Sequence, residues 1–163
     1  MQKKIIETIV LEYLNDELPN EYQYLIEEAK KQLPKAWAPY SGFHVGAAVQ
    51  LENGDIYAAS NQENSAYPSG ICAERNAIFY ANSQAPEIAV KAIAIAALTG
   101  GKLLNNPITP CGACRQVLLE TEQRFGKDIV IILYGSDKTQ VIGNVKQLLP
   151  LCFEKKSLLN TFD

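Results

Sequence analysis

Apolar residues return at helical spacing at Ile5, Ile6, Ile9, Val10, Tyr13 and Leu14, which predicts a short amphipathic helix. Pro19 breaks it, Asn20 offers a cap, and residues 21–33 predict a second helix that Pro34 ends. The pattern then changes period. Residues 45–51 and 55–60 read as strands, and Asn53-Gly54 between them is a strong tight-hairpin signal. Residues 71–81 read as a helix, 89–98 as a buried strand, 112–124 as a helix, and the β-branched and apolar run 129–134 as a central strand. A short strand near 140–142 and a short helix near 145–149 follow. Residues 38–42 and 100–109 have the Gly, Pro and Asn content of loops.

Strands alternating with helices predict the α/β class, here a three-layer α/β/α sandwich around a mixed sheet of about five strands. The 163 residues, 47% of them hydrophobic, suffice for one domain with a proper core and are too few for two ordinary ones. No internal repeat or low-complexity linker interrupts them. One domain over residues 1–163 is therefore expected, with residues 1–20 supplying an extra N-terminal helix.

Composition narrows the partners. A formal net charge of -3 gives no global attraction to phosphate backbones, so no nucleic-acid partner is expected. The longest apolar stretch, residues 88–98, contains Lys91 and is too short to span a bilayer. The N-terminus lacks the pattern of a signal peptide. A soluble, cytoplasmic chain with no membrane partner is expected. In that compartment closely spaced cysteines are more often metal ligands or catalytic groups than disulfides.

Two segments carry the candidate chemistry: Cys72-Ala73-Glu74-Arg75, and Pro110-Cys111-Gly112-Ala113-Cys114-Arg115-Gln116. Each places cysteine at the predicted start of a helix. Free N–H groups and partial positive charge there favour thiolate, the form that binds zinc. Cys111 and Cys114 share one turn and can face one ion, while Cys72 brings a third sulfur from another helix. Three protein ligands leave a fourth tetrahedral position for water, the pattern of a catalytic zinc. Glu74 is placed to stand beside that water as general acid and base. Arg75 can hydrogen-bond cysteine sulfurs and offset part of the charge of three thiolates.

Other readings compete. Free cysteines pack well in cores. Cys152 or His44 could complete a four-ligand structural site, making the chain a non-enzymatic zinc-stabilised interaction domain, although Cys152 lies in an apolar run that reads as packing. A redox pair at Cys111 and Cys114 would leave Cys72-Ala73-Glu74 unexplained.

Five motifs in order make the chain resemble the cytidine deaminase family in its small single-domain form, over about residues 37–153. They are Tyr40-Ser41-Gly42-Phe43-His44-Val45-Gly46-Ala47-Ala48, Asn61-Gln62-Glu63-Asn64-Ser65-Ala66-Tyr67, the two cysteine segments, and Leu148-Leu149-Pro150-Leu151-Cys152-Phe153. The resemblance implies one Zn2+ per chain on Cys72, Cys111 and Cys114, with Glu74 catalytic and Arg75 supporting the ligands. It implies that Asn61 and Glu63 hydrogen-bond the ribose and that Phe43 packs against the pyrimidine. The Ser65 backbone would read the base edge, and Phe153 would stack on the base bound in a neighbouring subunit of a homotetramer. The implied reaction is hydrolytic deamination of cytidine, and deoxycytidine with it, to the uridine product and ammonia. Related deaminases of nucleic acid or deoxycytidylate usually carry histidine where Cys72 stands, so the three-cysteine form points to free nucleosides. Three features depart from the pattern. The first twenty or so residues lie outside it, Ala59-Ser60 stands where Gly-Cys is common, and residues 99–108 are longer than usual and should lie near the site. They keep open a related aminohydrolase acting on a modified cytosine compound such as blasticidin S.

Overall fold

The structure, a computed structural model, describes residues 1–158. Strand β1 (Leu11–Tyr13) is followed by helix α1 (Asn20–Lys30), a 3-10 turn (Leu33–Lys35), and the hairpin of β2 (Phe43–Leu51) and β3 (Ile56–Ser60). Helix α2 (Ala73–Gln84), strands β4 (Val90–Thr99) and β5 (Lys102–Leu103), and helix α3 (Gly112–Phe125) come next, then β6 (Val130–Tyr134) and β7 (Thr139–Ile142). The sheet runs β1-β7-β6-β4-β2-β3, with β5 paired to the end of β4. Only β4 and β6 are parallel, so the sheet is mixed as expected.

The sheet has seven strands rather than about five, and both additions come from segments with misleading patterns. Residues 5–14 have helical spacing yet form no helix. Residues 1–10 hold no regular element, and Leu11–Tyr13 pairs antiparallel with β7. The open edge of β7 offers unpaired N–H and C=O groups, and Leu11, Glu12 and Tyr13 take them up. Glu12 reinforces the pairing by accepting from Gln140 on β7 and from Lys138 just before it. The second addition is β5, a short return on β4 made possible by positive φ at Gly100 (56°) and Gly101 (75°). Smaller differences lie at element ends. Asn20 opens α1 instead of capping it, Pro34 sits inside a separate 3-10 turn, and the expected helix near 145–149 is a 3-10 turn over Val145–Gln147.

The two faces of the sheet differ in side-chain size. On β4, Ile93 and Ile95 point one way and Ala92, Ala94 and Ala96 the other. The isoleucine face, with Val49, Ile131 and Leu133, packs against α2 and α3. Each fully buried aliphatic side chain there contributes about 1.5–3 kcal/mol. The alanine face packs against Leu25, Ile26 and Ala29 of α1. Gly46 brings β2 so close to α1 that a Cβ would stand 2.1 Å from the Ala29 carbonyl oxygen. This packing sets α2 and α3 side by side on one face. Among the described residues no helix is long and apolar enough to cross a membrane.

Candidate metal centre

The helix starts bring the cysteines together. Cys72 is the residue before α2 and Cys111 the residue before α3, both with extended backbone, and Cys114 lies in the first turn of α3. The Cys72 and Cys111 sulfurs are 3.9 Å apart and those of Cys111 and Cys114 3.4 Å apart, and all three lie within 4.8 Å of one another. Zinc–sulfur bonds of about 2.3 Å in a tetrahedron put sulfurs about 3.8 Å apart, so this donor set fits zinc. All three cysteines are free of disulfides, and exposure rises from buried Cys114 through Cys72 to Cys111. Among the described residues this is the one cluster of three or more metal-type side chains, and neither His44 nor Cys152 joins it.

The surrounding charges favour a thiolate at Cys72. Its hydrogen bond with Cys114 holds the thiol down at about 5, and the Arg75 guanidinium acts in the same direction. The Arg75 Nη2 donates to the Cys72 sulfur across 3.9 Å, while its buried Nε has no partner. Glu74 is buried in the first turn of α2. Desolvation raises its carboxyl above the usual range, and hydrogen bonds with its own backbone N–H and, less strongly, with Cys114 only partly oppose this.

A cavity of about 470 Å³ opens in front of Cys72, walled by Tyr40, Ser41, Asn61, Glu63, Tyr67 and Arg75 among others. Asn61 has both ends of its amide on β2: Oδ1 accepts from Val45 N at 2.8 Å, and Nδ2 donates to Phe43 O at 3.0 Å. Glu63 Oε2 accepts from Tyr40 N at 2.9 Å and Ser41 N at 3.3 Å, and Oε1 accepts from the Ser41 hydroxyl at 2.5 Å. The Ser41 bond, more than any other cause, holds the Glu63 carboxyl below its usual value. Gln62 exchanges two backbone hydrogen bonds with Ile71, which draws the segment before Cys72 against the cavity wall.

The side chains of the other predicted substrate residues do not wall the cavity, although Ser65 lies between Asn64 and Tyr67, which do. Phe43 packs against the core beneath α2 and α3. Ser65 is exposed. Phe153 is 58% exposed in a shallow groove with Leu151, Cys152 and Glu154, away from the cavity. Residues 99–109 do not wall the cavity either. Instead Leu104 O and Asn105 O accept from Ser136 N and Asp137 N, and the Asn105 amide reaches the Asp137 carboxylate. Several contributors were not picked out from the sequence. Ser41 is one, and Tyr40 and Tyr67 are others, meeting edge to face at 6.1 Å on the cavity rim. The loop composition around them concealed these roles.

Comparison with known proteins agrees with this geometry. Residues 19–131 match the family model described as the cytidine and deoxycytidylate deaminase zinc-binding region. The chain is 48% identical to a cytidine deaminase of Sporosarcina psychrophila over 82% of its own length and 92% of that protein's. The chain belongs to the cytidine deaminase family. The crystal structure of the cytidine deaminase from Burkholderia pseudomallei matches at a TM-score of 0.67 and 38% identity, covering 80% of this chain and 98% of that one. The cytidine deaminase from Mycobacterium tuberculosis matches at a TM-score of 0.64 and 29% identity, covering 83% and 99%. With the family's zinc-binding region and the three-cysteine cluster together, the cofactor of this cytidine deaminase is one Zn2+ per chain.

Proposed function

We propose that the chain hydrolyses cytidine, and deoxycytidine with it, to uridine or deoxyuridine and ammonia, with Glu74 as the proton carrier. The observation that carries this reading is the buried Glu74 carboxyl beside three converging cysteine sulfurs. Cys72, Cys111 and Cys114 would hold the zinc, which would supply Lewis-acid activation of a water for attack on C4 of the ring. Glu74 would take one proton from the water and give it to ring N3, then take the proton of the new C4 hydroxyl and give it to the departing amine as the C4–N bond breaks and the C4 carbonyl forms. Arg75 offsets thiolate charge through its bond to Cys72.

The ribose sits against Asn61 and Glu63. The Asn61 amide is held by β2 yet keeps one N–H and one lone pair free for a hydroxyl. Glu63 is kept ionised and fixed by Tyr40 and Ser41, so its remaining acceptor capacity is already oriented. The Ser65 backbone reads the base edge and Phe43 borders the base. Phe153 serves a neighbour's cavity in a homotetramer, a role that suits its exposure and its position off its own chain's cavity. The same assembly covers Trp37, Tyr40 and Tyr67, which a lone chain exposes. We place this activity in cytoplasmic pyrimidine salvage.

A modified-cytosine substrate draws no support from residues 99–109, which are tied to the β6–β7 turn. An ultraviolet assay on cytidine, deoxycytidine, adenosine and blasticidin S, with zinc content and sedimentation on the same preparation, tests the reading. Turnover of both cytosine nucleosides by a zinc-loaded tetramer is expected. Preference for blasticidin S, or an active monomer, would refute the corresponding part.

A further inference from the structure

Arg115 belongs to a cysteine motif yet touches no sulfur. It follows Cys114 in the first turn of α3, half-buried, and uses all three guanidinium nitrogens on different acceptors. Nε donates to Pro110 O at 2.8 Å, Nη2 to Thr109 Oγ1 at 3.0 Å, and Nη1 to Leu148 O at 2.7 Å. Pro110 immediately precedes Cys111, and residues 107–111 have no helix or strand of their own to fix them. Proline also has no N–H by which the loop could be held, so its carbonyl is the available handle. At the other end, Leu148 begins the segment that carries Phe153, and Gln116 Nε2 donates to Phe153 O at 2.9 Å. One side chain therefore ties the approach to the exposed sulfur ligand to the C-terminal segment.

We propose that Arg115 is a positioning residue that sets the Cys111 sulfur against those of Cys72 and Cys114 and registers the 148–153 segment to the same point. The inference rests on the zinc-site reading above. Three acceptors in three directions suit a planar guanidinium, and a single ammonium cannot reach all of them.

The test compares zinc-loaded wild type with Arg115→Ala, Arg115→Lys, Thr109→Val and Cys111→Ala. Zinc affinity is read by chelator competition, and ligand geometry by the thiolate-to-metal band of the cobalt-substituted proteins. Arg115→Ala should lose about 10- to 100-fold in zinc affinity, the range for groups that orient metal ligands, with a displaced cobalt band. Arg115→Lys should not restore either property. Thr109→Val, which removes one of the three bonds and should fold normally, should lose about 3- to 10-fold. Wild-type affinity and cobalt spectrum in Thr109→Val and Arg115→Ala, or full rescue by lysine, would overturn the proposal while loss of zinc from Cys111→Ala leaves the metal site standing. Retention of zinc by Cys111→Ala would overturn both.

Discussion

Cys72 and Cys111 are 39 residues apart in the chain and 3.9 Å apart at sulfur. Each occupies the position just before a helix, and those helices lie on the same face of the sheet, so the core that packs α2 beside α3 also builds the metal centre. Purified protein should therefore hold one zinc per chain by metal analysis. Cys111→Ala should weaken binding by more than about 100-fold, beyond the usual cost of losing a supporting group. Stoichiometric zinc in that variant after dialysis would show that the ion sits elsewhere.

The alanine face of the sheet makes a second prediction. A methyl group at position 46 would stand 2.1 Å from the Ala29 carbonyl oxygen, and backbone on both sides leaves little room to yield. Gly46→Ala should cost about 1–3 kcal/mol or more, the range for overpacking, and lower the thermal midpoint by several degrees. An unchanged midpoint would mean that α1 shifts freely on the sheet.

The fold was legible wherever local pattern and tertiary packing agreed. The Val, Ile and Ala alternation of β4, the Asn53-Gly54 turn and the helices after Cys72 and Cys111 all point to one answer at both levels. Residues 5–14 differ because helical spacing says nothing about whether a helix will find a partner surface, while an open strand edge is a property of the distant β7. The three-cysteine cluster could be read from spacing. Ser41 and Arg115 could not, since only the folded chain brings the Glu63 carboxylate to the one and the Leu148 carbonyl to the other. The long loop leads into Cys111 as expected, but the cavity wall does not include it, and its bond from Asn105 to Asp137, thirty-two residues away, is not visible in local sequence.

Glu122 gives stability a pH dependence. Its buried carboxylate oxygen accepts from Ile129 N at 2.9 Å and Val145 N at 2.7 Å, fastening α3 to the start of β6 and the following 3-10 turn. Burial nevertheless raises its carboxyl above the usual 4.5. The folded chain then retains a proton that the unfolded chain has released, so this contribution is complete below pH 4.5 and is lost as pH rises through the raised value. Glu122→Gln keeps an acceptor for both N–H groups and cannot ionise. Urea denaturation should show its stability improving relative to wild type from pH 4.5 towards pH 8. Parallel stability curves would contradict the sign.

The Glu63 carboxylate is the proposed anchor of the ribose. Glu63→Gln should loosen the loop at Tyr40 and Ser41 as well as the sugar contact, because both bond that carboxylate. Loss of a hydroxyl partner costs about 1–3 kcal/mol, so 3′-deoxycytidine should react roughly 5- to 150-fold worse than cytidine in kcat/KM. The discrimination should shrink in Glu63→Gln. Equal rates for the two nucleosides in wild type would remove Glu63 from the ribose site.

Glu74→Gln isolates the chemistry from the architecture. Glutamine nearly matches the shape of glutamate and occupies the same buried position, but it cannot accept a proton from water or return one to the base. Zinc should remain, because the three sulfurs converge without Glu74. Cytidine binding should remain as well, because Asn61 and Glu63 lie across the cavity wall and are held by β2 and by Ser41. Turnover should fall by about 10²–10⁴-fold, nearer the upper end because one carboxyl serves several proton transfers in turn. Zinc stoichiometry, cytidine affinity and single-turnover rate on one preparation separate the possibilities. Loss of zinc would make Glu74 a structural support of the cluster. Near-normal turnover with zinc intact would leave the deamination without its proton carrier and require another group to do that work.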